Sequence, residues 1–154
     1  MYFYECEIDS IGIAEKAGKI TNVYLPNASV PEDIQISETP LLQEAGKQLK
    51  SYLAGTLTVF SLPLATLGTP FMQQVLACVC EIPYGSTATY KEIAIKIGSP
   101  KAARAVGLAN QRNKVPIFIP CHRVIGTNGT LTGYRGGIEL KKKLLDLENI
   151  YSRY

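Results

Sequence analysis

The stretch YKEIAIKIGSPKAARAVGLAN, residues 90–110, holds two helical patterns separated by three residues that interrupt a helix. Residues 98–100, Gly-Ser-Pro, supply in order a helix stop, an N-cap and a first-turn proline. The pattern predicts one helix over residues 90–97 and a second over residues 101–110. Two helices joined by so tight a turn are typical of a helix-turn-helix.

The second of these helices has few bulky side chains, with four alanines and a glycine around Arg104. Such a segment is a good helix former whose alanines can simply pack against neighbours. It also suits DNA, because a helix without bulk can approach the minor groove, which is only about 6 Å wide in B-DNA. Arg104 is then a long side chain free to fill the space left by an extruded base.

Charge is divided unevenly along the 154 residues, whose formal net charge is +3. Residues 1–68 hold four Lys and no Arg against eight acidic residues, which gives −4, and residues 69–154 hold twelve basic against five acidic residues, which gives +7. The positive charge of residues 69–154 suggests that this part of the chain binds a polyanion. The lysines at residues 141–143 are interpreted mainly as a solvated helix face, with phosphate contact as the alternative.

The first half is predicted to form a small α/β domain. The β-rich segments YFYECEID and ITNVYL flank a turn at residues 16–19. A helix then starts at Thr39 and Pro40, and its apolar residues recur at helical spacing until Gly55. An extended run, LTVFSLPL, follows over residues 57–64.

The second half is predicted to be mostly helical. A Thr-Pro start precedes a helix over residues 71–80, and the last helix covers residues 137–148. The change in charge and composition puts the domain boundary near Gly68, with one domain over residues 1–68 and the other over residues 69–154. The predicted fold class is therefore α+β, with a helix-turn-helix in the C-terminal domain.

The length of the apolar stretches indicates where the protein is located, and the spacing of the cysteines indicates whether it binds a metal ion. No apolar stretch approaches the roughly 18 residues of a membrane span, and no early segment has the features of a secretion signal. We therefore expect a cytoplasmic protein with no membrane partner, whose four cysteines stay reduced. They form no zinc-spaced cluster with histidine, so we expect no metal site. Cys78 and Cys80 are interpreted as small apolar fillers.

A cysteine stands beside the only histidine of the chain in IPCHRV, residues 119–124. The thiolate is the reactive form of cysteine, and a histidine held by a carboxylate can take the thiol proton. Neighbouring side chains diverge on a strand, so His122 reaches Cys121 only across a bend, which Pro120 favours, or through a water. Glu148 is a candidate third member, although its spacing equally allows a surface position on the last helix.

Four motifs in order, IPYGSTATY, KAARAVGLAN, IPCHRVI and GYRGG, closely resemble the O6-alkylguanine-DNA alkyltransferases, also called methylated-DNA-protein-cysteine methyltransferases. The match covers residues 69–154 and is looser before Gly68. The resemblance implies a ribonuclease H-like N-terminal domain and a winged-helix-like C-terminal domain. It further implies DNA repair by direct damage reversal, in which Cys121 takes the alkyl group of O6-alkylguanine once and irreversibly, with O4-alkylthymine left open as a second substrate.

The resemblance also implies roles for individual residues and requires no cofactor. His122 is a water-mediated base oriented by Glu148, Asn113 supports the active-site turn, and Tyr90 hydrogen-bonds guanine N3. The backbone at Cys121 and at a nearby valine contacts the exocyclic amine. The substrate-binding residues implied are Val124, Tyr134, Arg135 and Pro116.

The implied partner is double-stranded DNA containing O6-alkylguanine, bound through the minor groove by a monomer. Arg104 replaces the flipped nucleotide in this interpretation. The residues that face the minor groove are Ala102, Ala103, Ala105 and Gly107.

Two other functions remain open on the sequence alone. A DNA-binding regulator would use the helix-turn-helix, but regulators usually contact the major groove with long polar side chains, which the alanine-rich helix lacks. A thiol hydrolase built on Cys121 and His122 predicts turnover. An alkyltransferase instead predicts one equivalent of product and then an inactive protein.

Overall fold

The computed structural model describes residues 1–65 and 68–151, and the chain divides into two compact units, Met1–Ala65 and Thr66–Tyr154. Strands and helices are mixed, which confirms the α+β class. Two parts of the predicted domains, residues 66–67 and residues 152–154, lie outside the described residues. Within the described ranges, no helix is both long and apolar enough to cross a membrane. The domain boundary at residue 68 and the two named domain folds stay predictions.

Three antiparallel strands, β1 (Tyr2–Cys6), β2 (Asp9–Lys16) and β3 (Lys19–Tyr24), form the sheet of the first unit in sequence order. The predicted turn is present between β2 and β3. Ala17 and Gly18 occupy it with φ of 53° and 77°, as a two-residue type I′ hairpin requires. The β-rich opening thus contains two strands rather than one, and β2 is the strand that the sequence prediction did not separate.

Helix α1 (Pro40–Leu53) begins and ends as the sequence predicts. Thr39 caps it by accepting a hydrogen bond from the backbone N–H of Leu42 at 3.2 Å. A Cβ atom on Gly46 would lie 2.6 Å from Cε1 of Tyr4, so the glycine lets the helix approach β1 closely. The apolar face of α1 therefore packs on the sheet, with these residues buried: Leu42, Ala45, Leu49, Tyr52 and Leu53.

The extended run at residues 57–64 joins this sheet at its end, through a parallel bridge between Leu64 and Ile20. The N–H of Ile20 donates to the carbonyl of Pro63 at 2.8 Å, and the N–H of Ala65 donates to the carbonyl of Ile20 at 2.8 Å. Proline has no N–H to offer a ladder, so the pairing does not extend back along the run.

Over residues 68–151, the second unit contains five helical segments and two short strands. In chain order these are α2 (Pro70–Cys80), β4 (Ala88–Thr89), α3 (Tyr90–Lys96), α4 (Ala103–Gln111), a 3₁₀ turn (Cys121–Arg123), β5 (Val124–Ile125) and α5 (Ile138–Tyr151). Strands β4 and β5 pair in parallel. The predicted filler role fits Cys78, which is buried, and is wrong for Cys80, which is exposed on the opposite side of α2.

The end of α3 explains a shift in the start of α4. Gly98, with φ of 81°, donates its N–H to the carbonyl of Ile95 at 3.0 Å, and Ser99 donates its N–H to the carbonyl of Ala94 at 2.9 Å. This pair of bonds is a Schellman motif that closes α3. Ser99 therefore belongs to the end of the first helix and does not cap the second.

The predicted start of the second helix at Lys101 is wrong. Ser99 accepts the N–H of Ala102 at 2.9 Å in a separate turn, and α4 begins only at Ala103. Ala102 is its N-cap and forms no side-chain cap bond. The two helices and their tight connection are otherwise as the sequence predicts.

Candidate active site

The loop before Cys121 is held by Asn113, which is buried. Its Oδ1 accepts the N–H of Val115 at 2.9 Å, and its Nδ2 donates to the carbonyl of Ile119 at 3.0 Å. Between them Ile117 has φ of 74°, an unfavourable conformation for a β-branched residue. The Asn113 bonds on both sides of Ile117 thus stabilise a strained loop.

The predicted bend lies at Pro120. The N–H of Cys121 donates to the carbonyl of Ile119 at 2.7 Å around Pro120, whose φ and ψ of −79° and 61° form an inverse γ-turn. Cys121 and His122 then enter the 3₁₀ turn instead of a strand. The thiol residue is buried, with 4% of its surface exposed.

A buried network joins this turn to α5. Nε2 of His122 lies 2.6 Å from Oε2 of Glu148, and both side chains are fully buried. Arg123 donates from Nε to Oε1 of Glu148 at 2.8 Å and from Nη2 to Oε2 at 3.0 Å, and its Nη1 donates to the carbonyl of Ile82 at 2.8 Å. The N–H of Gly85 also donates to Oε1 of Glu148, at 3.2 Å. Glu148 is therefore an interior residue that orients His122, and the alternative of a surface position is wrong.

The network fixes the protonation states of its members. Burial by itself raises the pKa of Glu148, but the hydrogen bonds from His122 and Arg123 outweigh it and hold the pKa at about 2. Burial lowers the pKa of His122, against the opposing contact with Glu148. A carboxylate only accepts hydrogen bonds, so Nε2 of the neutral ring carries the proton. Nδ1 is consequently the basic nitrogen of His122.

The thiol is protonated in the resting protein. Burial raises the pKa of Cys121 to about 11, although the Asn113 side chain and the positive charges of Lys141 and Arg135 oppose the shift. A thiol of this kind is a poor nucleophile until a base takes its proton. The thiol therefore needs a base to take its proton before it can react.

Lys141 is fully buried, so the interpretation of residues 141–143 as a solvated face is wrong for this member. Its Nζ donates to the carbonyl of Thr132 at 2.8 Å and lies 5.9 Å from the centre of the Tyr90 ring. The hydroxyl of Tyr90 donates to the same carbonyl at 3.3 Å. Lys141 thus stabilises the loop segment that holds Tyr90.

The helical period of α5 explains why Lys141 differs from its neighbours. Lys141, Leu144 and Glu148 stand at positions i, i+3 and i+7 and all are buried, which defines the inward face. Lys142 points outward and pairs with Asp146 at 2.8 Å on the surface. The same periodicity, applied to the sequence, could have indicated that Lys141 and Glu148 share one face.

Two tyrosines stand close to this cluster. Tyr90 opens α3, and the nearest atoms of its ring lie 3.7 Å from the position of a Cβ on Gly107 of α4. Tyr134 is buried, which raises its pKa well above its ordinary value, with the nearby Cys121 and Glu148 adding to the effect. Within the described ranges its hydroxyl has no hydrogen-bond partner.

The other predicted site residues divide by exposure. Val124 and Pro116 are buried, whereas Arg135 is exposed. On α4 and its cap, Arg104 and Ala105 are exposed, and the half-buried residues are Ala102, Ala103 and Gly107. The outer face is not entirely bare, since Leu108 is 48% exposed. The sequence analysis did not identify three buried residues near the site: Asn110, Arg123 and Lys141. Arg123 could have been identified, because it follows His122 in the same motif.

Comparisons with known proteins find relatives of one family over most of the chain. Residues 70–150 match the family model described as 6-O-methylguanine DNA methyltransferase, DNA binding domain. The constitutive methylated-DNA–protein-cysteine methyltransferase of Bacillus subtilis is 46% identical over 153 residues, which cover 95% of this chain and 93% of that protein. The crystal structure of Mycobacterium tuberculosis OGT in complex with DNA matches with a TM-score of 0.90 at 41% identity, covering 97% of this chain and 92% of the other. The chain belongs to the methylated-DNA–protein-cysteine methyltransferase family.

Proposed function

We propose that this protein repairs DNA by direct reversal, moving the alkyl group from O6 of guanine to Cys121 in a single irreversible event. The observation that carries the proposal is the buried turn in which a protonated thiol precedes a neutral histidine held by an ionised carboxylate. A nucleophile, its base and the group that orients the base are the parts that thiol chemistry requires. Family membership identifies the alkyl group as what the thiol receives.

In the proposed reaction, the thiol proton passes through a water to Nδ1 of His122, and Glu148 stabilises the resulting imidazolium. Sγ of Cys121 forms a bond to the alkyl carbon as the bond between that carbon and O6 breaks. The electron pair stays on guanine, and the proton that the thiol lost passes from His122 through water to the departing base, while Tyr90 donates a hydrogen bond to N3. The products are guanine and a thioether, which does not hydrolyse, so each molecule reacts once.

The burial of Cys121 bears on how DNA is bound. A base stacked inside a duplex cannot reach a thiol that is 4% exposed, so the alkylated nucleotide must leave the stack. We assign docking in the minor groove to α4, with Arg104 entering the space that the base vacates. One copy of the chain supplies both the thiol and this helix, so a monomer suffices, and the activity requires access to DNA inside the cell.

The test is the intact mass of the protein after incubation with a duplex containing O6-methylguanine, followed by peptide mapping. We expect a gain of one methylene unit that stops at one equivalent and maps to Cys121. Binding without a mass gain would contradict the proposal and favour the regulator. Continued turnover would favour the hydrolase.

Arg104→Ala is expected to slow transfer from duplex DNA by about tenfold or more, because the cost of unstacking the base is no longer partly offset. Reaction with free O6-methylguanine base should hardly change. Single-turnover rates on both substrates measure the effect. Arg112→Ala, which removes the same charge at the other end of α4, is the matched control and should lack this selectivity. Equal losses of rate on the duplex and on the free base would show that Arg104 does not assist base extrusion.

Lys141→Met is expected to slow transfer by about tenfold and to move the alkaline part of its pH profile upward. The substitution removes a positive charge that lowers the pKa of Cys121 and a donor that holds the Thr132 carbonyl. The measurement is the single-turnover rate as a function of pH. Lys142→Met is the control, since its surface ion pair contributes little. An unchanged profile in Lys141→Met would contradict the electrostatic role.

A further inference from the structure

The hydroxyl of Tyr90 lies beside two oxygen atoms of one residue, Thr132. It donates to the backbone carbonyl oxygen at 3.3 Å and lies 3.4 Å from the side-chain Oγ1, where either atom can be the donor. Both distances exceed the about 2.7–2.8 Å that is usual for an O–H···O bond. Hydrogen bonds in a free active site are commonly long and shorten when substrate binds. Thr132 thus offers Tyr90 both an acceptor and a second hydroxyl.

The ring of Tyr90 is held from several sides. Thr89 caps α3 by accepting the N–H of Glu92 at 3.0 Å, and the Glu92 side chain accepts the N–H of Thr89 at 3.2 Å, which fixes the backbone where Tyr90 begins the helix. The Cβ position of Gly107 lies 3.7 Å from the ring, and Nζ of Lys141 lies 5.9 Å from its centre. A hydroxyl hydrogen rotates about its C–O bond while the ring stays in place. The direction of the Tyr90 hydrogen bond can therefore change without a movement of the ring.

A single proton of Tyr90 has to serve two acceptors in turn. In the free protein it is donated to the carbonyl of Thr132, whereas the proposed reaction needs it at N3 of guanine. A phenol has one proton, so the two hydrogen bonds exclude each other. Nζ of Lys141 donates to the same carbonyl at 2.8 Å. The carbonyl of Thr132 therefore remains paired when Tyr90 turns toward the base.

The contact with Oγ1 of Thr132 gains importance once Tyr90 donates to the base. A hydroxyl that donates its proton still has lone pairs, and it becomes a stronger donor when another group donates to its oxygen. Water can supply that bond in the free protein, because the contact is exposed. An extruded base that fills the site excludes this water. The hydroxyl of Thr132 then replaces the water as the donor to Tyr90.

We infer that Thr132 is a positioning residue for Tyr90. Its carbonyl holds the tyrosine hydroxyl in the free protein, and its own hydroxyl donates to Tyr90 when Tyr90 donates to N3 of the extruded base. Negative charge develops on the base as its bond to the alkyl carbon breaks, so a stronger hydrogen bond at N3 stabilises the transition state more than the bound substrate. This inference rests on the proposed function and adds to it a residue that acts through Tyr90.

The test measures single-turnover transfer rates for Thr132→Val and Thr132→Ser on a duplex that contains O6-methylguanine. Valine has nearly the shape of threonine but lacks the hydroxyl, serine keeps the hydroxyl, and both keep the backbone carbonyl. Thr132→Val should react about threefold to tenfold more slowly than wild type, which is the contribution of one neutral hydrogen bond. Thr132→Ser should react at close to the wild-type rate. Thr127→Val changes another exposed threonine of the same loop and is the matched control, with no expected loss.

A second duplex separates an effect through Tyr90 from a general defect of the loop. It contains 3-deaza-O6-methylguanine, in which a C–H group replaces N3 and Tyr90 has no acceptor. The wild-type protein should react more slowly with this duplex, and Thr132→Val should cause no further loss. Tyr90→Phe removes the hydroxyl from the protein instead, so adding Thr132→Val to that variant should not change the rate on O6-methylguanine.

Four results would overturn the inference. They are a wild-type rate for Thr132→Val on O6-methylguanine, equal losses for this variant on the two duplexes, a Thr132→Ser variant as slow as the valine variant, and equal wild-type rates on the two duplexes. Thr132→Ala takes the place of the valine variant if the latter does not fold. If the wild-type protein transfers no methyl group from the O6-methylguanine duplex, the proposed function itself fails.

Discussion

Cys121→Ala is expected to abolish methyl transfer from O6-methylguanine duplexes while binding to the same duplexes persists. Alanine offers no nucleophile, and the helix assigned to DNA contact, α4, is separate from the turn that holds the thiol. Intact mass after a long incubation measures transfer, and fluorescence anisotropy measures binding. We expect no mass gain and a dissociation constant within about twofold of the wild-type value, since replacing the buried SH removes no DNA contact.

Cys80→Ala is the matched control for this experiment, because Cys80 is an exposed thiol on α2. It should accept one full equivalent of methyl group, as the wild-type protein does. A mass gain in Cys121→Ala, or no mass gain in Cys80→Ala, would show that a thiol other than Cys121 accepts the methyl group. Loss of binding in Cys121→Ala would show that the turn and the DNA-contacting surface are not independent.

Helix positions could be predicted where local chemistry determines them. Thr39 and Thr69 each cap the following helix through a side-chain bond to a backbone N–H, and each stands before a proline. Such caps depend on a few adjacent residues and are therefore visible in the sequence. The predicted start of α4 was wrong because Ser99, although its residue type is common at N-caps, donates its backbone N–H to the carbonyl of Ala94 at the end of α3.

The site could be predicted only in part. Cys121 and His122 are neighbours in a motif, so the resemblance identified them directly. The burial of Glu148 and Lys141 depends on which face of α5 turns inward, and a lysine run normally predicts solvent exposure. Asn110 is buried and donates from Nδ2 to the carbonyl of Cys121 at 3.1 Å, and no local pattern reveals a tertiary contact of that kind.

Glu148→Gln is expected to lower the free energy of unfolding by about 3–5 kcal/mol at neutral pH. The substitution removes the charge that Arg123 pairs with inside the protein, where both side chains are buried. A neutral amide can either accept from or donate to Nε2, so it no longer enforces the tautomer that keeps Nδ1 basic, and it carries no charge to stabilise the imidazolium; methyl transfer should therefore slow as well. Chemical denaturation gives the stability, and single-turnover kinetics give the rate.

The pH dependence separates this electrostatic effect from a simple packing defect. The folded-state pKa of Glu148 is held at about 2, below the ordinary value of 4.5, so its ionised form stabilises the fold fully above pH 4.5. This contribution is lost as the pH falls from 4.5 toward 2, where the folded protein also takes up the proton. The difference in stability between wild type and Glu148→Gln should shrink over that interval. Asp146→Asn, which breaks an exposed ion pair on the same helix, should cost less than about 1 kcal/mol. A pH-independent difference, or a loss no larger than that of Asp146→Asn, would mean that the buried charge of Glu148 does not stabilise the reactive turn.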